Sequence, residues 1–163
     1  MELEELSNIL WQERQLLELL LFKLETEQLL LAAGNTRWLG NATHEVEVVL
    51  EELRSFEVLR ATGVQEIGQR LGYGDEPPRL GQLSESAPAP WDGIFREHRA
   101  AFLSITNEIN AAAAANRELL ARAQRATEST LAWLVDAEQP DVYSGRGAAR
   151  SGGRTRHLFD EVM

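Results

Sequence analysis

The chain has 163 residues, no cysteine and a formal net charge of -10. That length allows one domain with a sizeable core, or a rod with a tail. The missing cysteine excludes a disulfide framework and a thiolate metal site, and the acidic excess argues against nucleic acid or anionic membrane as partners.

The excess is not evenly spread. Residues 1–136 carry 22 acidic against 12 basic side chains, and 137–163 carry four of each. Leu, Glu, Ala, Gln and Arg dominate, which predicts an all-α protein. The opening Met-Glu-Leu-Glu-Glu lacks the basic region of a signal peptide. Glu18, Lys23, Glu25 and Glu27 interrupt the leucine run near residue 20, so it is too short to span a bilayer. A soluble, cytoplasmic protein is expected.

The first helix is predicted over 2–33. Its seam runs in steps of three and four through Leu3, Leu6, Leu10, Glu13, Leu17, Leu20, Leu24, Glu27 and Leu31. Leu19, Leu20, Leu21 and Phe22 are consecutive and face every direction, so one neighbour cannot cover them. Two helices of the same chain, or a helix from another protein, must do so. Gly34-Asn35 ends the helix. Trp38 and Leu39 are expected to plug the end of the bundle.

The second helix is predicted over 42–61, with Asn41 as N-cap and a seam of Val46, Val49, Leu53, Phe56 and Arg60. Leu50 and Leu59 widen that stripe. Its outer face is acidic and reads as solvated. Thr62-Gly63 is expected to break the helix. Residues 62–90 read as a crossover between the two ends of the rod, with a short helical stretch over 64–71 and a Gly/Pro turn over 72–78. Leu80 and Leu83 are expected to pack on the bundle or form a flap. No strand precedes the glycines, and neither phosphate-binding glycine motif is present.

The third helix is predicted over 91–136 and organises the rest. Its seam passes through Trp91, Phe95, His98, Phe102, Ile105, Ile109, Ala112, Asn116, Leu119, Ala123, Ala126, Thr130 and Trp133. A heptad pattern held this long predicts one helix laid against others, roughly 65–70 Å at 1.5 Å per residue. Asn116 on the seam reads as a register-fixing residue. His98 reads as a core or interface histidine. Asn107 and Asn110 lie off the seam beside Leu103, either solvated or positioned to meet a partner's backbone. The expected fold is therefore an elongated antiparallel bundle or coiled coil of three main helices (domain 1–136) with a flexible tail (137–163). Within the tail, 144–156 is Gly/Arg/Ser/Ala-rich, and 158–163 forms a terminal apolar cluster.

Catalytic and metal chemistry find little support. His44, His98 and His157 are the only histidines. None stands in Glu-x-x-His or His-x-x-x-His, the spacings that put two ligands on one helix face. No Ser/His/Asp order or paired acid–base set emerges. No cofactor is expected.

Four stretches carry a resemblance. They are Leu6-x-x-x-Leu10-x-x-Glu13-x-x-x-Leu17-x-x-Leu20 with Lys23-Leu24-Glu25-x-Glu27; Ala42-Thr43-x-Glu45-Val46-x-x-Val49-Leu50-x-x-Leu53-Arg54-x-x-Glu57-x-x-Arg60-Ala61; Asn107-x-x-Asn110 leading to Asn116-Arg117-Glu118-Leu119-Leu120; and Tyr143-Ser144-Gly145-x-Gly147. In order and spacing the chain resembles the FlgN family of flagellar type III export chaperones. The alanine run at 111–115 and the long Arg/Gly tail depart from the family pattern. The resemblance implies a cytoplasmic helical chaperone for the C-terminal segments of hook-associated proteins. It would keep them unassembled and deliver them to the flagellar secretion apparatus, with the export gate or ATPase complex as further partners.

The residues point the same way. Three helices leave a furrow that a client's amphipathic helix can fill. The expected site lies between the leucine-rich turn of the first helix and the second half of the third, with Leu17, Leu21, Leu24, Leu103, Asn107, Asn110, Leu119 and Leu120 as contacts. A coiled-coil adaptor or homo-oligomer, hiding the same surface against itself, is the alternative.

Overall fold

The structure, a computed structural model, describes the backbone of residues 1–138 and the side chains of residues 1–134. The tail and its motifs at 143–147 and 158–163 lie outside the described residues. Residues Met1–Arg125 form one compact unit, and Ala126 begins a second.

Four helices make up the described chain: α1 (Leu3–Ala32), α2 (Leu39–Arg70), α3 (Leu80–Ser86) and α4 (Trp91–Glu138). No strand occurs among the described residues, as the composition predicts. Glu2 and Glu5 form a reciprocal capping box at the start of α1. The predicted α1 seam is buried or half-buried from Leu3 to Leu31. Gly34 stops the helix with φ 63°, and the Asn35 N–H donates to the Leu30 carbonyl at 2.9 Å.

Helix α2 corrects the sequence reading at both ends. It starts at Leu39, so Asn41 is inside the helix rather than its cap. Trp38 is 51% exposed and stacks under Arg37 instead of plugging the bundle. Thr62-Gly63 does not break the helix, which runs on to Arg70. A β-carbon at Gly63 would meet the flexible end of the Met1 side chain and lie 3.4 Å from Leu6. The helix penalty of roughly 1 kcal/mol is offset by that close approach of α1. Chain reversal falls instead at Gly72, with φ 90°.

Cross-helix contacts fix the directions. Lys23 pairs with Glu45 at 2.7 Å, Glu13 with Arg60 at 3.2 Å and Glu2 with Arg70 at 3.0 Å, so α2 runs antiparallel to α1. Ser7 meets His98 and Leu24 meets Asn116, so α4 runs parallel to α1. The start of α4 thus lies at the end where α2 finishes. The predicted crossover between two ends is a short return at one end, and it contains α3.

Two apolar clusters fill the first unit. One joins Leu6, Leu10, Val64, Ile67, Leu83, Ala87 and Phe95, drawn from all four helices and the residue after α3. Leu83 of α3 is fully buried there, the packed alternative of the two expected for it. The other joins Leu20, Leu24, Val46, Val49 and Ala112, from three helices only. The α4 seam is buried or half-buried as far as Leu119, whereas residues 122–134 are exposed. Asn116 already meets Glu27, and α1 ends at Ala32.

Candidate functional site

Helix α3 covers the first cluster and then stops. Beyond its first residue, Leu80, a cavity of about 410 Å³ continues along the bundle. Its floor is α1 (Leu10, Glu13, Leu17). One wall is α2 (Leu53, Glu57, Arg60), and the other is α4 (Arg99, Phe102, Leu103, Thr106). The geometry follows from length: α3 spans seven residues, about 10 Å of helix, and cannot cover the longer seams of α1, α2 and α4.

The cavity is leucine-rich but has a polar centre. Glu13 and Arg60 both fall on predicted seams, which turns them inward. The Arg60 Nε and Glu13 Oε2 lie 3.2 Å apart, and both atoms are buried without a hydrogen bond of their own. Glu57 sits 3.7 Å from Arg60 on the other side. Burial pushes the Glu13 carboxyl above its ordinary range, with Arg60 opposing and Glu57 adding to the rise.

A second hollow of about 330 Å³ lies between α1 (Leu21, Glu25, Gln28) and α4 (Glu108, Ala111, Ala112, Ala115). The small side chains of the alanine run leave this space. A third, of about 440 Å³, is framed by Tyr73, Glu76, Pro77, Pro78, Arg79 and Gln82 in the turn before α3. Its lining is mostly polar and includes none of the predicted contacts.

The predicted contacts divide among these places. Leu17 and Leu103 line the first cavity, and Leu21 lines the second. Leu24 is a core residue, 7% exposed. Asn107, Asn110 and Leu120 are exposed and Leu119 half-buried, and none of these four lines either hollow. The main apolar cavity thus lies along the first half of α4, nearer its start than the sequence places the furrow. Leu53, Leu80, Phe102, Glu13 and Arg60 also line the cavity and are not among the predicted contacts. A signal existed for the last two, since a charge on a leucine seam is costly unless it is matched.

The buried polar groups elsewhere are structural. Asn116 Nδ2 donates to the Leu24 carbonyl and to Glu27 Oε2, each at 2.9 Å, and Thr43 donates to Glu27 Oε1 at 2.7 Å. This network ties α1, α2 and α4 in one register, the role expected of Asn116. His98 is 2% exposed and packs edge-on to Trp11, with its Nε2 3.2 Å from the Ser7 hydroxyl. Among the described residues no group of three or more His, Asp or Glu is placed to hold a metal ion. No described helix is long and apolar enough to cross a membrane.

Among the described residues the chain is an all-helical bundle with an open, leucine-lined cavity between α1, α2 and α4. The family model described as FlgN protein matches residues 1–151, and the chain belongs to the FlgN family, a family of flagellar export chaperones. Comparisons with curated proteins and with solved structures gave no significant match.

Proposed function

We propose that this flagellar export chaperone acts in the cytoplasm on hook-associated proteins. It binds their C-terminal segments as amphipathic helices, prevents premature assembly and hands them to the flagellar type III secretion apparatus. The observation that carries this reading is the unfilled length of groove beyond Leu80. The chain's own α3 fills the neighbouring length with a helix. A client helix extends the same packing, with Leu17 and Leu103 as its first contacts and Leu21, Asn107, Asn110, Leu119 and Leu120 along its continuation. Leu24 supports that surface from within.

Burying ~600 Å² of apolar surface contributes on the order of 15 kcal/mol gross at ~25 cal/mol/Å². Association and ordering offset most of it, leaving micromolar to nanomolar affinity. The test is capture of C-terminal peptides of hook-associated proteins by Leu103→Asp and Leu120→Asp variants. Leu103→Asp is expected to abolish capture, because the charge enters the cavity. Leu120→Asp reports how far the client extends along α4. Full capture by Leu103→Asp, with an unchanged helical CD spectrum, would overturn the groove.

A further inference from the structure

We infer that the Glu13–Arg60 pair is a specificity anchor, selecting an occupant helix that carries one side-chain amide, Asn or Gln, within its apolar stripe. The inference rests on the groove reading above and adds what the groove selects.

The neighbouring section shows the kind of object that fits. Helix α3 packs on α1, α2 and α4 through Leu83 and also buries one small polar residue, Ser84. That hydroxyl is satisfied within α3, donating to the Gly81 carbonyl at 2.6 Å. An apolar helix face with one satisfied polar group is thus the chain's own solution for the filled part. In the open part the polar groups belong to the groove. Glu13 and Arg60 form an ion pair at 3.2 Å whose facing atoms are buried, while the Arg60 side chain stays 35% exposed, among Leu10, Leu17, Leu53 and Phe102. A purely leucine face laid over them would take the remaining exposed part of the Arg60 guanidinium out of water with nothing added. Closing an unsatisfied polar group into an apolar site costs more than the contact returns.

The local charges decide the chemistry of the partner group. Glu13, Glu57, Arg60 and Arg99 line the cavity, two of each sign. A carboxylate on the occupant is drawn to Arg60 and Arg99 but repelled by Glu13 and Glu57, and an ammonium the reverse. A neutral amide avoids both conflicts: its N–H₂ donates to the carboxylate while its oxygen accepts from the guanidinium.

The test uses the full chain and a set of synthetic leucine-striped helical peptides. In each, one stripe position is changed to Asn, with Lys and Asp versions of the best register; affinity is read by fluorescence anisotropy. One Asn register is expected to bind about tenfold tighter than the all-leucine parent, the gain of one charge-assisted hydrogen bond. Its Lys and Asp versions are expected to bind more weakly than the Asn peptide. In a Glu13→Leu/Arg60→Leu protein the parent should become the tighter ligand. Arg60→Met alone should shrink the preference if the double variant unfolds. A parent that equals or beats every Asn register, while its binding is lost in Leu103→Asp, overturns the anchor and leaves the groove standing. Binding by no peptide, or binding untouched by Leu103→Asp, overturns both.

Discussion

Around Phe95 the core is enclosed by four helices, and around Ala112 by three. In the first section Leu6, Leu10, Ile67, Leu83 and Phe95 are at most 1% exposed, with Val64 and Ala87 at 7%. In the second the core residues lie between 4% and 9%, and the α1 turns beside it show Leu19, Phe22 and Leu29 to solvent. The number of covering helices differs, and so do the seams, which bring Phe95 to the first section and Ala112, Asn116 and Glu27 to the second. A three-helix section buries a seam but not its flanks, because an apolar arc wider than about 100° needs a neighbour on each side. Seven residues of α3 add the fourth helix, and the groove begins beside the first of them, Leu80.

The comparison is broken most directly by truncation. Phe95→Ala should cost about 3–5 kcal/mol in urea unfolding, because a fully buried aromatic leaves a cavity that the enclosing helices cannot collapse. Leu103→Ala, at a residue 54% exposed, should stay within about 0.5 kcal/mol. Equal costs would mean that the two sections are packed alike. Next in size, Asn116→Leu should cost about 1–3 kcal/mol. It removes both hydrogen bonds from Nδ2 and leaves the buried Glu27 with Thr43 alone. Recovery of that loss in an Asn116→Leu/Glu27→Leu double variant would show that the three-helix section is held by matched polarity rather than by the bonds themselves.

A smaller pair separates the two close-packed glycines of α2. A β-carbon at Gly68 meets the Pro78 ring, whereas at Gly63 it meets the end of the Met1 side chain. Gly68→Ala should cost about 1–2 kcal/mol net, since overpacking outweighs the propensity gain, and it should loosen the return that carries α3. Gly63→Ala should fall near zero, because the thioether can swing aside. Thermal melts of the two variants are enough to check this.

Much of this was legible in the sequence, and what was not had physical causes. The three-four ladders named Leu6, Leu10, Leu20, Leu24, Val46, Val49, Phe95, His98 and Asn116, all buried, because a helical period reports which face is covered. It does not report by how many neighbours. Local propensity also misplaced the end of α2: Gly63 reads as a breaker when only the chain is considered, and as a packing residue once α1 is beside it. The expected furrow and the observed cavity lie at different lengths of α4 for a related reason. The leucine-rich turn announces surplus apolar surface, but where that surface stays open depends on where α3 stops. Glu13 and Arg60 were placed on their seams, but the ladders do not show that the two face each other across one cavity.

The finest contrast is in the sign of the pH response. His98 lies in the four-helix section, where burial chiefly, with Arg14 adding to it and Glu97 opposing, holds its imidazole below the ordinary 6.5. As pH falls through 6.5 the unfolded chain takes up its proton first, so stability drops until the folded imidazole also titrates. Glu13 lies on the groove floor with its carboxyl raised above 4.5. There the folded chain binds the proton first, and stability rises as pH falls from the folded value toward 4.5. His98 should therefore lower the melting temperature as pH falls below about 6.5, while Glu13 offsets part of the acid loss as pH falls toward 4.5. Measured as differences from the wild-type profile, His98→Phe should remove the first contribution and Glu13→Gln the second. A client helix that satisfies Glu13 as a carboxylate would lower its folded pKa, so saturating peptide should remove the Glu13 contribution and leave that of His98. Loss of both contributions on binding would place the client against the closed section instead.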